Sequence, residues 1–356
     1  MLTKYLRLDK HMIILLLFIP FSVYSGFVLK NSTLTFISAA ISLIPLAMII
    51  GFATRDISLQ ANPRISGLVS ATFGNIIELM VAIFALSRGL IELVRASLIG
   101  SIICNIVLLT GLGFFVGGLK YKHQRFNKEA IGVSATMLII AIVGLTMPTV
   151  FAFTTGEHQQ AATLSNIVAL VMAVIYTAGL VFSLRTHKDL FDENNELKAS
   201  LEKPVIGKGA ATIILFITTA FVALMADLLS RSIEPAALNL GLSQTFIGVV
   251  IIAIISNVAE ISTAIRFARE DRLDVSLEIG MSSASQIALF VVPILVLISH
   301  LFGFGFSLVF SLFQVLGVIL AVVILNHLMT DGRCNWLEGA QLISVYMIIA
   351  IAFFFI

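Results

Sequence analysis

Long apolar stretches, separated by short polar or basic turns, follow one another along almost the whole chain. A helix needs roughly 20 mostly apolar residues to cross about 30 Å of hydrocarbon. Windows of that kind fall at residues 12–29, 33–53, 65–87, 96–118, 130–154, 160–184, 210–230, 244–268, 275–299, 305–328 and 338–355. The pattern predicts an all-α polytopic membrane protein with eleven transmembrane helices. Pro20, Pro45, Pro148 and Pro293 fall inside windows. Neighbouring helices can satisfy the backbone groups that proline frees, so kinks are expected there rather than breaks. The first window follows Lys4, Arg7 and Lys10 and so imitates a secretory signal. Its apolar run is too long for one and no A-x-A site follows, which predicts a retained first helix.

Cytoplasmic loops accumulate Lys and Arg, so their distribution orients the windows. With the N-terminus inside, 18 of the 22 Lys and Arg residues lie in inner segments, against Lys30, Arg88, Arg95 and Arg231 outside. The expectation is a multi-pass protein of the cell membrane, N-terminus cytoplasmic and C-terminus outside. The short N-terminus and absent tail fit a prokaryotic plasma membrane. One long polar stretch, Arg185 to Lys208, carries Asp189, Asp192, Glu193, Glu196 and Glu202 and separates the first six windows from the last five. It lacks the glycine and terminal glutamate of an EF-hand, and it reads as a solvated cytoplasmic connector.

The windows also repeat one another. The third contains Thr72-Phe73-Gly74-Asn75-Ile76-Ile77-Glu78-Leu79, and the eighth contains Ile254-Ile255-Ser256-Asn257-Val258-Ala259-Glu260-Ile261. Each sets a small residue, an Asn and then a Glu three positions later at mid-window, a spacing that puts amide and carboxylate on one helical face. The next windows agree: Ser101 and Asn105 lie in the fourth, and Ser282, Ser283, Ser285 and Gln286 in the ninth. Asn105 follows Glu78 by 27 residues and Gln286 follows Glu260 by 26. An odd number of windows separates the copies in register, so they cross in opposite directions, the inverted-topology construction of many secondary transporters. The predicted organisation is a leading helix (1–31), a first repeat (32–185), the charged connector (186–208) and a second, inverted repeat (209–356).

A carboxylate at the centre of a membrane helix costs roughly 2.5–3.5 kcal/mol to insert on translocon scales, so two of them need a reason. If both helices turn these faces inward, Glu78 and Glu260 can share one divalent cation. Asn75, Asn257 and hydroxyl or backbone oxygens, Ser256 among them, would complete a hard-oxygen shell. Oxygen donors favour Ca2+ over softer metals, and no thiolate or imidazole is expected at mid-window. The same pair takes up protons when no cation is present, because low dielectric and mutual repulsion favour the neutral acid. Ca2+ and protons then compete for one pair of acids, and exclusive occupancy at an alternating-access site is exchange. No further cofactor is called for.

Gly74-Asn75-x-x-Glu78 followed by Ile83-Phe84-Ala85-Leu86, with Asn257-x-x-Glu260 and the run Ser285-Gln286-Ile287-Ala288-Leu289-Phe290, resembles the Ca2+/H+ antiporter (cation/proton exchanger) family of the calcium/cation antiporter superfamily. The resemblance implies that the two glutamates bind cation and protons, and that ten helices form two inverted bundles after a leading helix. The chain departs from the family pattern in the bulky pair Ile76 and Ile77, in Ser256 where a glycine is usual, and in Ile261 where many members have histidine. Sodium/calcium exchangers of the superfamily usually carry proline beside the repeat glutamate; Ile77 and Ala259 stand there in this chain.

Other polar residues have two readings each. Asn105 and Gln286 are either ligands or interhelical amide bonds, and Ser101, Ser282, Ser283 and Ser285 either line the pathway or allow close packing. Asp227, Asp56, Glu278 and Glu338 near the window ends are either funnel mouths or solvated carboxylates. The six histidines lie in loops or near window ends, where proton relay or pH sensing is conceivable. Composition narrows the classes: 59% hydrophobic and 12% charged residues point to a lipid bilayer, and a net charge of +2 offers no face to nucleic acid. Cys104 and Cys334 form no CxxC or Cys/His cluster, which argues against a structural disulfide or zinc site. Exchange of Na+ or K+ for protons, or of Na+ for Ca2+, is the transport alternative. A channel would rely on symmetry between subunits, and an intramembrane enzyme would need a nucleophile with a base or an H-E-x-x-H site, which the sequence lacks. A homo-oligomer is possible.

Overall fold

In a computed structural model of the chain, residues 10–187 and 204–356 are described. Lys4, Arg7 and the acidic residues of the connector, Asp189, Asp192, Glu193, Glu196 and Glu202, lie outside them. The described residues are helical nearly throughout: α1 (Met12–Leu29), α2 (Ser32–Leu59), a broken pair α3a (Pro63–Phe73) and α3b (Ile76–Leu86), α4 (Ile91–Lys120), α5 (Lys128–Thr155), α6 (His158–Thr186), α7 (Lys208–Leu240), a second broken pair α8a (Gln244–Ser256) and α8b (Val258–Arg269), α9 (Leu273–Phe302), α10 (Leu312–Leu328) and α11 (Trp336–Phe354). Among the described residues eight helices are long and apolar enough to cross a membrane, or nine if the bent α8a–α8b pair is one span. The windows at 65–87 and 305–328 hold shorter pieces, two helices of 11 residues and one of 17.

Local chemistry explains these boundaries. Asn31 and Asn62 cap α2 and α3a, each accepting the N–H three residues on. Pro45 and Pro148 sit inside unbroken helices, as expected. The tenth window was expected to be helical from residue 305, but α10 begins only at Leu312, where Ser311 and Gln314 form a capping box. Gly303 and Gly305 adopt positive φ, which ends α9 and turns the chain. The extended segment that follows is buried, and hydroxyls satisfy its backbone: Phe306 N–H donates to Ser299, Leu308 N–H to Ser165 and Phe310 N–H to Thr149. The seventh window also runs further than expected, through Pro235 to Leu240.

The loops at 60–62, 121–127, 270–272 and 329–335 carry or adjoin Arg64, Lys120, Lys122, Arg125, Lys128, Arg269, Arg272 and Arg333; that side is called the basic face below. On it Gln124–Arg125 pairs antiparallel with Arg333–Cys334, the one two-stranded sheet among the described residues. The buried Gln124 donates to Ala268 O (3.0 Å) and Asp271 Oδ1 (2.8 Å), which fastens the C-terminal end of α8b. Each of the carboxylates considered as funnel mouths has a partner within the structure. Asp56, 0% exposed, accepts the N–H groups of Val205 (2.8 Å) and Ile206 (2.9 Å) and pairs with Arg55. Glu338 completes the capping box of α11, and Glu278 accepts from Ser134. Asp227 is paired with Arg88 and Arg231.

Close packing at the centre depends on glycine. A Cβ on Gly100 of α4 would meet the backbone of Val249 in α8a, and one on Gly248 would meet Ala96 and the backbone of Leu93 and Ser97. The two helices therefore approach at reciprocal glycines, the small-residue contact typical of membrane bundles. Gly100→Val is expected to cost about 1–3 kcal/mol through overpacking and to lower the thermal unfolding midpoint of detergent-purified protein. Gly132→Ala, where a Cβ meets open space, should leave that midpoint unchanged or slightly raised.

Candidate functional site

The two Asn-x-x-Glu motifs lie at helix breaks. The backbone leaves helical geometry at Asn75 (φ −115°, ψ 26°) and at Asn257 (φ −98°, ψ 11°), and α8a and α8b meet at 55°. Each Asn becomes the N-cap residue of a new helix, and its carbonyl starts that helix by accepting from Leu79 (3.1 Å) or Ile261 (2.9 Å). Each glutamate therefore stands in the first turn of a half-helix, where the positive end of the helix dipole favours a carboxylate. The expectation of a single helix with amide and carboxylate on one face is corrected. At each break the amide side chain also bonds to another helix.

Asn75 Nδ2 donates to Gln286 Oε1 of α9 (2.8 Å), whose Nε2 donates to Ser282 Oγ (3.1 Å). Asn257 Oδ1 accepts from Asn105 Nδ2 of α4 (2.7 Å), which also donates to Ser283 Oγ (3.0 Å). Asn257 Nδ2 turns back to Ala253 O (2.8 Å). The two bridges thus correspond, α3 to α9 and α8 to α4. Asn105 sits in a π-helical turn, Cys104–Leu109, and Gln286 directly precedes another, Ile287–Val291. Such turns insert a residue and re-aim the side chains around them. Ser101 and Ser256 lie 3.5 Å apart across α4 and α8a.

These bonds leave oxygens over. Asn75 Oδ1, Asn105 Oδ1, Glu78 Oε2, Glu260 Oε2 and Ser285 Oγ are all buried without a hydrogen-bond partner. Glu78 is 7% exposed, lies beside Ser256 and is within electrostatic reach of Glu260. Glu260 is half-buried and lines a cavity of ≈ 100 Å³ with Thr54, Ser70, Gly74 and Ile77. Ser256 and Ala259 of α8 line it as well, and Ala47, Ile50, Gly51 and Thr54 carry it along α2 from Glu260 toward the basic face. Ile76 and Ile77, the bulky departures from the family pattern, are buried against it.

The site candidates Glu78, Glu260, Asn75, Asn257, Asn105, Gln286, Ser101, Ser256, Ser282 and Ser283 are thus gathered around one centre, and Ser285 lies on α9 next to Gln286. Asn105 and Gln286 act as interhelical bridges, and Asn105 keeps a free acceptor as well. Sequence reasoning missed Cys104. This buried thiol stands in the middle of the fourth window, within electrostatic reach of both glutamates, so sulfur is not absent from the surroundings of the site. It also missed the helix breaks, although Asn followed three residues later by Glu is the spacing of a capping box and so a helix-start signal.

Paired carboxylates and partnerless oxygens, buried at the breaks of two apolar helices, define an ion-handling membrane transporter. The chain belongs to the sodium/calcium exchanger protein family, whose model matches residues 31–185 and 210–355. This is a family of transporters, not enzymes. The chain is 38% identical to the Ca2+/H+ antiporter of Synechocystis sp., over 98% of both chains. It is 40% identical to the Ca2+/H+ antiporter ChaA of Bacillus subtilis, over 94% of this chain and 96% of that protein. The solved structure of native YfkE superposes with a TM-score of 0.85 at 36% identity, over 97% of this chain and 100% of that one.

Losing one bridge tests the network. Asn105→Leu leaves Asn257 and Ser283 without their donor, and interhelical hydrogen bonds of this kind contribute about 0.6–2 kcal/mol in membranes. The thermal midpoint of the purified variant should fall accordingly. Thr177→Val, at an exposed position on α6 whose hydroxyl bonds only to Ala173 O of its own helix, should change it little.

Proposed function

We propose that the chain is a secondary active antiporter that exchanges Ca2+, or a related divalent cation, for protons by alternating access. On this reading the chain crosses the membrane eleven times: the leading helix of 1–31, then residues 32–185 and 209–356 as two inverted five-helix repeats joined by the cytoplasmic connector of 186–208. The basic face is cytoplasmic, as is the N-terminus, and the C-terminus is outside. The broken helices and the 17-residue α10 count as spans because α3a with α3b, and α10 with the buried segment before it, complete the required length.

One observation carries the proposal. Two carboxylates, each at the start of a broken helix and each with an oxygen lacking a partner, lie within electrostatic reach of one another in a buried site. Among the described residues no three His, Cys, Asp or Glu side chains gather as a metal-holding group. A cation between Glu78 and Glu260 would then complete its shell from neutral oxygens, and Asn75 Oδ1, Asn105 Oδ1 and Ser285 Oγ are free to supply them. Two negative charges and neutral hard oxygens suit a divalent ion that takes six to eight oxygen ligands. Asn257 and Gln286 hold the amides, and Ser101, Ser256 and Ser282 support them. The names of the Synechocystis and Bacillus relatives support Ca2+ and protons as the exchanged pair.

Cation binding requires both carboxyls deprotonated and so releases their protons. As pH falls the acids fill with protons and Ca2+ is displaced; as pH rises the cation wins. In proteoliposomes the apparent dissociation constant for Ca2+ should therefore rise as pH falls, with a slope approaching about two log units per pH unit when both sites titrate. Glu78→Gln or Glu260→Gln is expected to abolish Ca2+-dependent proton release under an imposed pH gradient. Unchanged flux in either variant overturns the assignment. Testing Mn2+, Na+ and K+ in the same vesicles separates this reading from monovalent cation exchange.

A further inference from the structure

We infer that Asp227 is a positioning residue for exchange: held between Arg88 and Arg231, it latches shut the side of the site that faces away from the basic loops. The inference rests on the exchange reading above, since a latch has meaning only where the site must open alternately.

The two sides of the glutamates differ. Toward the basic face the cavity at Glu260 is open enough to hold water. On the other side Phe36, Leu43, Ile77, Leu229 and Ile252 close around a gap of only ≈ 10 Å³. These residues come from α2, α7, α3b and α8a, so opening that side means moving α2 and α7 relative to α3b and α8a. The first pair is built to move together. At its basic end Asp56 of α2 holds the N–H groups of Val205 and Ile206, just before α7, and Gln60 Nε2 donates to Ile206 O (2.9 Å). At the far end Asn239 Nδ2 of α7 donates to Thr33 Oγ1 of α2 (3.1 Å).

Between that pair and the rest of the bundle stands the ionic cluster. Arg88 lies in the turn after α3b, and its Nη2 donates to Asp227 Oδ1 on α7 (2.5 Å). Arg231, one turn along α7, takes Asp227 Oδ2 at 2.9 Å. Both carboxylate oxygens are thus held, and Arg88 is the link that crosses between the moving parts. The side chains are partly exposed, 18% for Asp227 and 32% for Arg88, so water can replace the pairing when the parts separate. An apolar plug alone would lack such a switchable contact.

The repeat does not reproduce this pairing on the basic side. The spacing from Asn75 to Asn257, carried forward from Arg88, lands on Glu270, and α2 carries no charge from Leu43 to Ala53. The latch is one-sided, and it favours the state open to the basic face.

Partly exposed ion pairs are individually weak, so the expected effect is a shift in balance. In sided proteoliposomes Asp227→Asn should lower the half-saturating Ca2+ concentration at the face opposite the basic loops by roughly threefold to tenfold. It should raise that at the basic face by a similar factor. Arg88→Gln, a loop substitution that leaves the helices intact, should shift both in the same directions, and the double variant should add nothing to Asp227→Asn alone. A merely structural role would instead lower the rate from both faces and leave the ratio of the two concentrations unchanged. That outcome, or full additivity of the two substitutions, overturns the latch. Wild-type protein in the same vesicles separates the two ideas: exchange by wild type with an unmoved ratio in both variants refutes the latch alone, whereas no exchange by wild type refutes the underlying function and the latch with it.

Discussion

Two carboxylates held in the apolar middle of a helical bundle set a requirement that the surrounding architecture meets in stages. An isolated ionised group there is costly unless charges, dipoles or hydrogen bonds face it. The first provision is the broken helix. By interrupting α3 at Asn75 and α8 at Asn257, the chain gives Glu78 and Glu260 a helix N-terminus each, with its positive dipole end and free N–H groups. Neither glutamate could have this within a continuous span, where every N–H is already bonded to the preceding turn. The breaks are stable because the freed asparagine amides find partners on other helices, Gln286 for one and Asn105 for the other.

Those amide bonds fix more than the breaks. Each runs from one half of the chain to the other, so the helices carrying the glutamates are held against the opposite half. The reciprocal glycines Gly100 and Gly248 let α4 and α8a come close enough for Ser101 to face Ser256. The π-helical turns at 104–109 and 287–291 lie at matching points, beside Asn105 and after Gln286. Packing, hydrogen bonding and helix irregularity therefore converge on one level of the bundle. The hydrogen bonds use nitrogen donors and leave carboxylate, amide and hydroxyl oxygens without partners, which is the donor set a hard cation selects.

The apolar windows made the helical fold legible because the required span length is a property of the bilayer and not of any particular packing. The repetition of Asn-x-x-Glu and its amide companions likewise located the centre, since polar groups in such windows are expensive enough to be few. What periodicity could not supply was backbone conformation. Hydropathy is blind to whether residues 303–311 are helical or extended, and the extended choice depends on hydroxyls from Ser165 and Thr149, distant in sequence. The carboxylates at window ends were equally ambiguous. Asp56 looks like a solvated residue until the backbone of Val205 and Ile206 is seen against it. Cys104 was passed over because a lone thiol in an apolar window has no pattern of its own, although its neighbour Asn105 was already marked.

The same electrostatics bears on how tightly exchange can be coupled on the proposed reading. A site holding Ca2+ is neutralised by the ion, and a site holding protons is neutralised by them. The empty site, with two uncompensated charges in a water-poor interior, is the species that low dielectric penalises most. A transporter whose loaded forms reorient more readily than its empty form does not need a separate device to prevent slippage, because the cost of burying bare charge already serves. The partnerless oxygens sharpen the discrimination, since Asn75, Asn105 and Ser285 can pull a cation into the centre and yet gain little from a proton already bound to carboxylate. Coupling in this architecture would then follow from the scarcity of countercharge around Glu78 and Glu260. Adding a positive side chain beside them would be expected to loosen it, even if cation and protons still bound.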